Sequence, residues 1–313
     1  MAFFLRDLIL SDPCLDASLF YESLIRHKAS PFPGENTLDN MQFIALTYLM
    51  SAVVKILDDF CSDDNVTPGW SEFARAEHLL NHIIRGHKGN LVTIQCLILK
   101  SSYLLYVERQ DWAYDEIGSA VRLCFQLGLH NQKSWKNLSP LDVEMRQRIF
   151  WCIFCLERNM SHLCRVPYHI REGDICVNLP PVRSFGSGSF GSEAEAGFHS
   201  MPYLIATIKW ARICSDLWDS ILGVNAQPTT PEFIAITDAR ILILTSELPQ
   251  YLKWTPEMLD NADFLQYPHF ILRQSVILHL VSFSKFWFGM GEMLIGCCRE
   301  PTTSNFCYGN MTC

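Results

Sequence analysis

A chain of 313 residues that is 49% hydrophobic and 12% aromatic carries ample apolar surface for one large core or two ordinary ones. Its 25 lysines and arginines stand against 33 acidic residues, a net charge of −8, and no Lys/Arg cluster occurs along it, so nothing in the sequence has the electrostatic footprint of a phosphate-binding surface.

The first residues, MAFFLRDLIL, meet Arg6 and Asp7 too early for a secretory signal, and residues 1–15 read as an N-terminal extension of an intracellular protein. In that compartment thiols stay reduced, so the thirteen cysteines are expected to be mostly buried small hydrophobes rather than a disulfide framework. The sequons at Asn65, Asn137 and Asn310 are then unused. The apolar stretches MQFIALTYLMSAVV and SVILHLVSFSKFWF are too short, or are interrupted by His279 and Lys285, so no membrane span is expected.

Helical periods dominate and no sustained strand alternation occurs, which predicts an all-α fold. DDFCSDD (Asp58 to Asp64) reads as a solvated helix end rather than a magnesium site. His78 and His82 share a helix face, with His87 just beyond, but the glutamate of a metalloprotease motif is missing between them, and an amphipathic surface helix is the plainer reading. LVTIQCLILKSSYLLYVER is apolar on most faces, as in a helix inside a core, and should form an antiparallel hairpin with DWAYDEIGSAVRLCFQLG. In the latter, Ala113, Ile117, Ala120, Cys124 and Leu127 fall on one stripe, Asp111 can cap the start, and Gly128 sits where a left-handed stop belongs.

LSPLDVEM offers Ser139 as N-cap, Pro140 at the first helical position, Asp142 reaching back, and a staple from Leu138 to Val143. The helix runs on through RQRIFWCIFCLERN, where Cys152 and Cys155 lie well inside it, away from the helix start that activates thiols, so they are expected to pack. Arg146, Arg148 and Arg158 are expected to reach carboxylates or helix C-terminal carbonyls. Residues 182–199 are Gly/Ser-rich and read as a flexible loop; Gly186, Gly188 and Gly191 match a dinucleotide fingerprint, but no strand precedes them. Helices are expected at 201–222, 231–250 and 263–288, and residues 291–313 as a disordered tail. No nucleophile, base and orienter set is recognisable.

Three segments in order, WAYDEIGSAVRLCFQLGLH, RQRIFWCIFCLERN and PYHIREGDICVNLP, together resemble the fungal-specific transcription factor domain, the middle homology region of zinc binuclear-cluster regulators. The resemblance rests on Leu127, Gly128, Leu129 and His130, on Arg146, Arg148, Phe150, Trp151, Glu157 and Arg158, and on Asp174, Ile175, Val177, Leu179 and Pro180. Asn131, Gln147 and the CRVP that shifts Arg165 depart from the pattern.

The resemblance implies a multi-helix, bundle-like regulatory domain over residues 16–290 that acts through protein contacts in the nucleus and cytoplasm. Its partner would be a related full-length regulator or a second copy, with room for a small effector between helices. In that family zinc belongs to an amino-terminal six-cysteine cluster that this sequence does not carry, so no cofactor and no direct DNA binding are expected of it. Two rival readings are an enzyme repurposed from this fold, which would need a cleft with titratable pairs, and a helical-repeat scaffold, for which no second copy of DWAYDEIG appears at the required period.

Overall fold

The computed structural model describes residues 13–29, 38–58, 67–86, 88–182, 192–224 and 230–249. The fold is all-α: α1 Ala17–Ala29, α2 Leu38–Asp58, α3 Trp70–Arg85, α4 Leu91–Tyr106, α5 Gln110–Gln126, α6 Pro140–Cys164, α7 Ser192–Leu217 and α8 Pro231–Glu247. Short 3-10 turns occupy Gln132–Ser134 and Glu172–Asp174, and a π turn, Trp218–Leu222, ends α7. The expected helix 263–288 and tail 291–313 lie outside the described residues.

The nearly uniform apolarity of α4 explains its place: it is buried from Thr93 to Leu104 except for Gln95 and packs against α2, α5 and α6. Its hairpin with α5 buries the expected stripe, Ala113, Ile117, Ala120 and Cys124 being fully inaccessible while Leu127 is half-buried. The same core takes in α2, α3, α6 and one side of α7; a second, smaller cluster joins Ala206, Trp210, Ile213 and Cys214 of α7 to Ile241 and Leu244 of α8. Close approach of α2 to the start of α3 needs Gly69, at φ 77°, because a Cβ there would stand 2.5 Å from the Ala52 carbonyl oxygen.

Local chemistry sets several ends as expected. Ser139 Oγ accepts from the Asp142 amide at 3.1 Å while Asp142 reaches back to the Ser139 amide, and Pro140 follows. Gly128 takes the left-handed conformation, φ 66°.

Other ends differ. Asp111 lies within the first turn of α5, whose N-cap is Arg109 without a side-chain bond, so its role is with the helix dipole rather than as a cap. Helix α7 begins at Ser192, so residues 192–199 are helical rather than loop; residues 183–191 lie outside the described ones. Pro13, Cys14 and Leu15 are buried, so the domain reaches into what the sequence marks as an extension.

Two polar clusters hold the α2 to α5 region. Lys100 of α4, 3% exposed, donates to Glu77 of α3 at 3.0 Å and to Glu116 of α5 at 2.7 Å, so its buried charge is matched twice. Asn90 caps α4 through the Thr93 amide (3.2 Å) and donates to Gln42 of α2 (2.8 Å), which in turn donates to Thr93 Oγ1 (2.9 Å). Replacing Asn90 with alanine removes a cap and strands Gln42, and should lower the unfolding free energy in urea by about 1–3 kcal/mol; a midpoint equal to that of the wild type contradicts the network.

Candidate functional site

Helix α6 carries the residues that distinguish this sequence, and each third of it holds a different piece of chain. At its start, Arg148 is 6% exposed and is spent on the segment before α1: Nε donates to the Pro13 carbonyl at 2.6 Å, Nη2 to the Leu15 carbonyl, and Nη1 meets Asp16 at 3.4 Å. Arg146 instead lies 5.8 Å over the Trp135 ring, a cation–π placement rather than the carboxylate or carbonyl partner expected. Trp135 donates to the Gly128 carbonyl at 2.9 Å, which ties the Leu127–His130 corner to the same end.

In the middle, Trp151 is fully buried and its indole donates to the Asn178 carbonyl at 2.9 Å. Gln147, which interrupts the arginine cluster, bonds Gln132 at 3.2 Å, and the Gln132 carboxamide oxygen also accepts from the Asn178 amide at 2.8 Å. The backbone completes the clasp: Cys176 donates to His130 (2.8 Å) and accepts from Gln132 (2.7 Å), a parallel bridge between Asn131 and Cys176. This explains why the departure at Asn131 leaves the fold intact, since the contact there is made by main chain. Phe150 is buried beside Trp151, Leu129 is inaccessible, Ile175 and Val177 pack on the core, Pro180 is buried, and Asp174 and Leu179 are exposed.

At the end, Glu157 and Arg158 are 0% and 1% exposed, and both are satisfied internally. Arg158 bonds Glu157, donates from Nε to Ser215 Oγ of α7 at 2.6 Å and from Nη2 to the Ile170 carbonyl, and its guanidinium lies 4.3 Å from the Phe154 ring centre and 3.8 Å from that of Tyr168. Glu157 accepts from the His169 amide and faces its Nδ1 at 3.3 Å. Tyr168 donates to Asp219 at 2.7 Å; burial, then that carboxylate, pushes its phenol up to about 12. The three motif segments thus meet around one helix. Their order was legible in the sequence; their meeting, and Gln132, His169, Tyr168 and Ser215, which do much of the joining, were not.

The chemistry here is structural. Tyr114, His169 and Glu157 form a line of contacts, 3.4 Å and then 3.3 Å, that has the order of an acid–base relay. Glu157 is already committed to Arg158 and to the His169 amide, and burial raises the Tyr114 phenol, the wrong direction for a nucleophile. Cys152 and Cys155 are buried mid-helix, and burial pushes the Cys155 thiol up. His78 and His82 are exposed on α3, and among the described residues no group of three or more His, Cys, Asp or Glu side chains is placed to hold a metal ion. Among the described residues no helix is long and apolar enough to cross a membrane.

Removing one partner of a buried pair leaves the other charge stranded, so Arg158→Ala should destabilise the fold by about 3–5 kcal/mol in chemical denaturation. The double change Glu157→Gln/Arg158→Met should cost distinctly less than the sum of the single changes; strict additivity contradicts the pairing.

His162, on the last turn of α6, sits 3.0 Å from the Cys214 carbonyl and edge-on to Trp218, and burial pushes its pKa below 6.5. The unfolded chain therefore takes up this proton first as pH falls below about 6.5, and the folded state loses stability from there down to its own lower value. Between about pH 7 and pH 5 the melting temperature should fall by roughly a few degrees more in the wild type than in His162→Gln; parallel profiles contradict the assignment.

Comparison with known proteins agrees with this arrangement. The fungal specific transcription factor domain matches residues 27–253. A transcriptional regulatory protein of Schizosaccharomyces pombe is 24% identical over 268 residues, covering 83% of this chain and 32% of that protein. The negative regulator of pleiotropic drug resistance of Candida glabrata is 31% identical over 97 residues, 30% of this chain and 10% of that protein. An ABC-transporter-regulating transcription factor of Aspergillus oryzae is 23% identical over 165 residues, 52% of this chain and 18% of that protein. The matched part is thus a third or less of each of these relatives. No solved structure matches the chain. The family and these relatives are transcription regulators rather than enzymes, and the chain belongs to the fungal-specific transcription factor domain family.

Proposed function

We propose that this chain is the regulatory part of a fungal transcription regulator, which works by contact with other proteins while base reading, and the zinc that serves it, is supplied by another part of the regulator or by a partner. Regulation of transcription implies action in the nucleus, and this reading adds a cytoplasmic pool. The partner is a related regulator or a second copy of the chain.

The observation that carries the reading is where the motif arginines go. Of the arginines the sequence pattern singles out, Arg146 lies over the Trp135 ring, and Arg148 and Arg158 are buried and spent on carbonyls, carboxylates and a hydroxyl of the chain itself. The buried two are not available to phosphate. With a net charge of −8, the chain lacks the counterion-release term that drives association with DNA.

A fluorescence-anisotropy titration of the purified chain against promoter DNA should give no sequence-selective binding at physiological salt. Tight, sequence-selective and salt-sensitive binding by the chain alone contradicts the proposal.

A further inference from the structure

Between α1, α2 and the first turns of α4 and α6 lies a cavity of about 670 Å³, inside the range of about 300–1,000 Å³ typical of small-molecule sites. Its apolar lining includes Leu19, Phe20, Phe43, Leu46, Met145 and Ile149. The Phe20 and Phe43 rings lie 5.5 Å apart and give one wall an aromatic face.

The polar groups around it fall into two sets. Some are committed: Asp16 accepts from the Leu19 amide at 3.1 Å and faces Arg148, Asp142 caps α6, Gln42 belongs to the Asn90 network, Gln95 donates to the Cys14 carbonyl at 2.6 Å, and His27, the basic side chain of the lining besides Arg26, has its Nδ1 3.4 Å from Asn40 Oδ1. Three charged side chains, Glu22 and Arg26 of α1 and Asp39 in the first turn of α2, are exposed and make no hydrogen bond or ion pair with other described residues.

We propose that this cavity binds an amphipathic organic cation, its ring-bearing apolar body against the Phe20–Phe43 wall and its protonated amine between Glu22 and Asp39. Two uncommitted carboxylates outweigh the one uncommitted guanidinium, and the committed pair of Asp16 and Arg148 is neutral as a unit. Asp142, though it caps a helix, adds a further negative charge. A cation therefore gains Coulomb energy at the mouth as well as apolar burial, whereas an anion of the same body gains only the burial and opposes the field. An occupant would touch Met145 and Ile149, which flank Arg148, and Leu15 and Asp16, which Arg148 holds. Occupancy is thereby linked to the anchoring of the segment before α1.

The test uses two probes with one body and opposite charge, 1-naphthylmethylamine and 1-naphthylacetate, titrated calorimetrically into the full 313-residue chain. The amine should bind at a single site, about tenfold or more tighter than the acid. Glu22→Gln/Asp39→Asn changes only exposed side chains and should weaken the amine about fivefold while leaving the melting temperature in place. Equal affinity for the two probes, no binding of either, or amine binding that the double variant does not weaken overturns the proposal; the last outcome would place the amine on the general negative charge of the chain.

Discussion

The arrangement of the second half of the domain depends on two charges that are adjacent in sequence and removed from water together. Glu157 and Arg158 each face a desolvation cost of several kcal/mol, roughly, unless every polar atom finds a partner. The partners come from outside α6: Ser215 from α7, the Ile170 carbonyl and His169 from the segment after α6, with Phe154 and Tyr168 covering the guanidinium. Moving α7 or residues 166–171 would orphan a buried charge. The pair therefore acts less as a source of net stability than as a device that admits one arrangement of three pieces of chain.

The same logic recurs through the fold. Lys100 is buried only because Glu77 and Glu116 approach it from α3 and α5, and Arg148 only because the chain before α1 turns its carbonyls inward. In each case one long basic side chain on a core helix fixes the position of neighbours that apolar packing alone would leave free to slide. The consequence is that Lys100, Arg148 and Arg158, basic residues on core helices, serve as internal struts.

Much of this was legible where chemistry is local. Ser139, Pro140 and Asp142 announce the start of α6 within four residues, and Gly128 its left-handed turn, because caps and turns are decided by near neighbours. The two cysteines of α6 were readable as packing from their distance to the helix start. What failed depended on partners distant in sequence. Asn90 caps α4 through a local box with Thr93, but the bond from its amide group to Gln42 of α2 has no sequence signal. Lys100 resembles a solvated lysine until α3 and α5 are in place. Residues 192–199 belong to the Gly/Ser-rich stretch that the sequence marks as a loop, yet they open the helix that holds Trp210 and Ser215. The cavity has no sequence signature, since its walls come from four helices.

The central claim is that the chain from His130 to Asn178 is bound to α6 as one cooperative unit. Native-state hydrogen exchange tests it most directly, through the amides of Cys176, Gln132, His169 and Asn178, which are held by the His130 carbonyl, the Cys176 carbonyl, Glu157 and the Gln132 side chain. These amides should exchange with the same free energy, and the same denaturant dependence, as those in the middle of α6. Exchange of Cys176 and Asn178 by small local openings while α6 stays protected would contradict the account, because the clasp would then be decoration on a helix bundle that holds itself together without it.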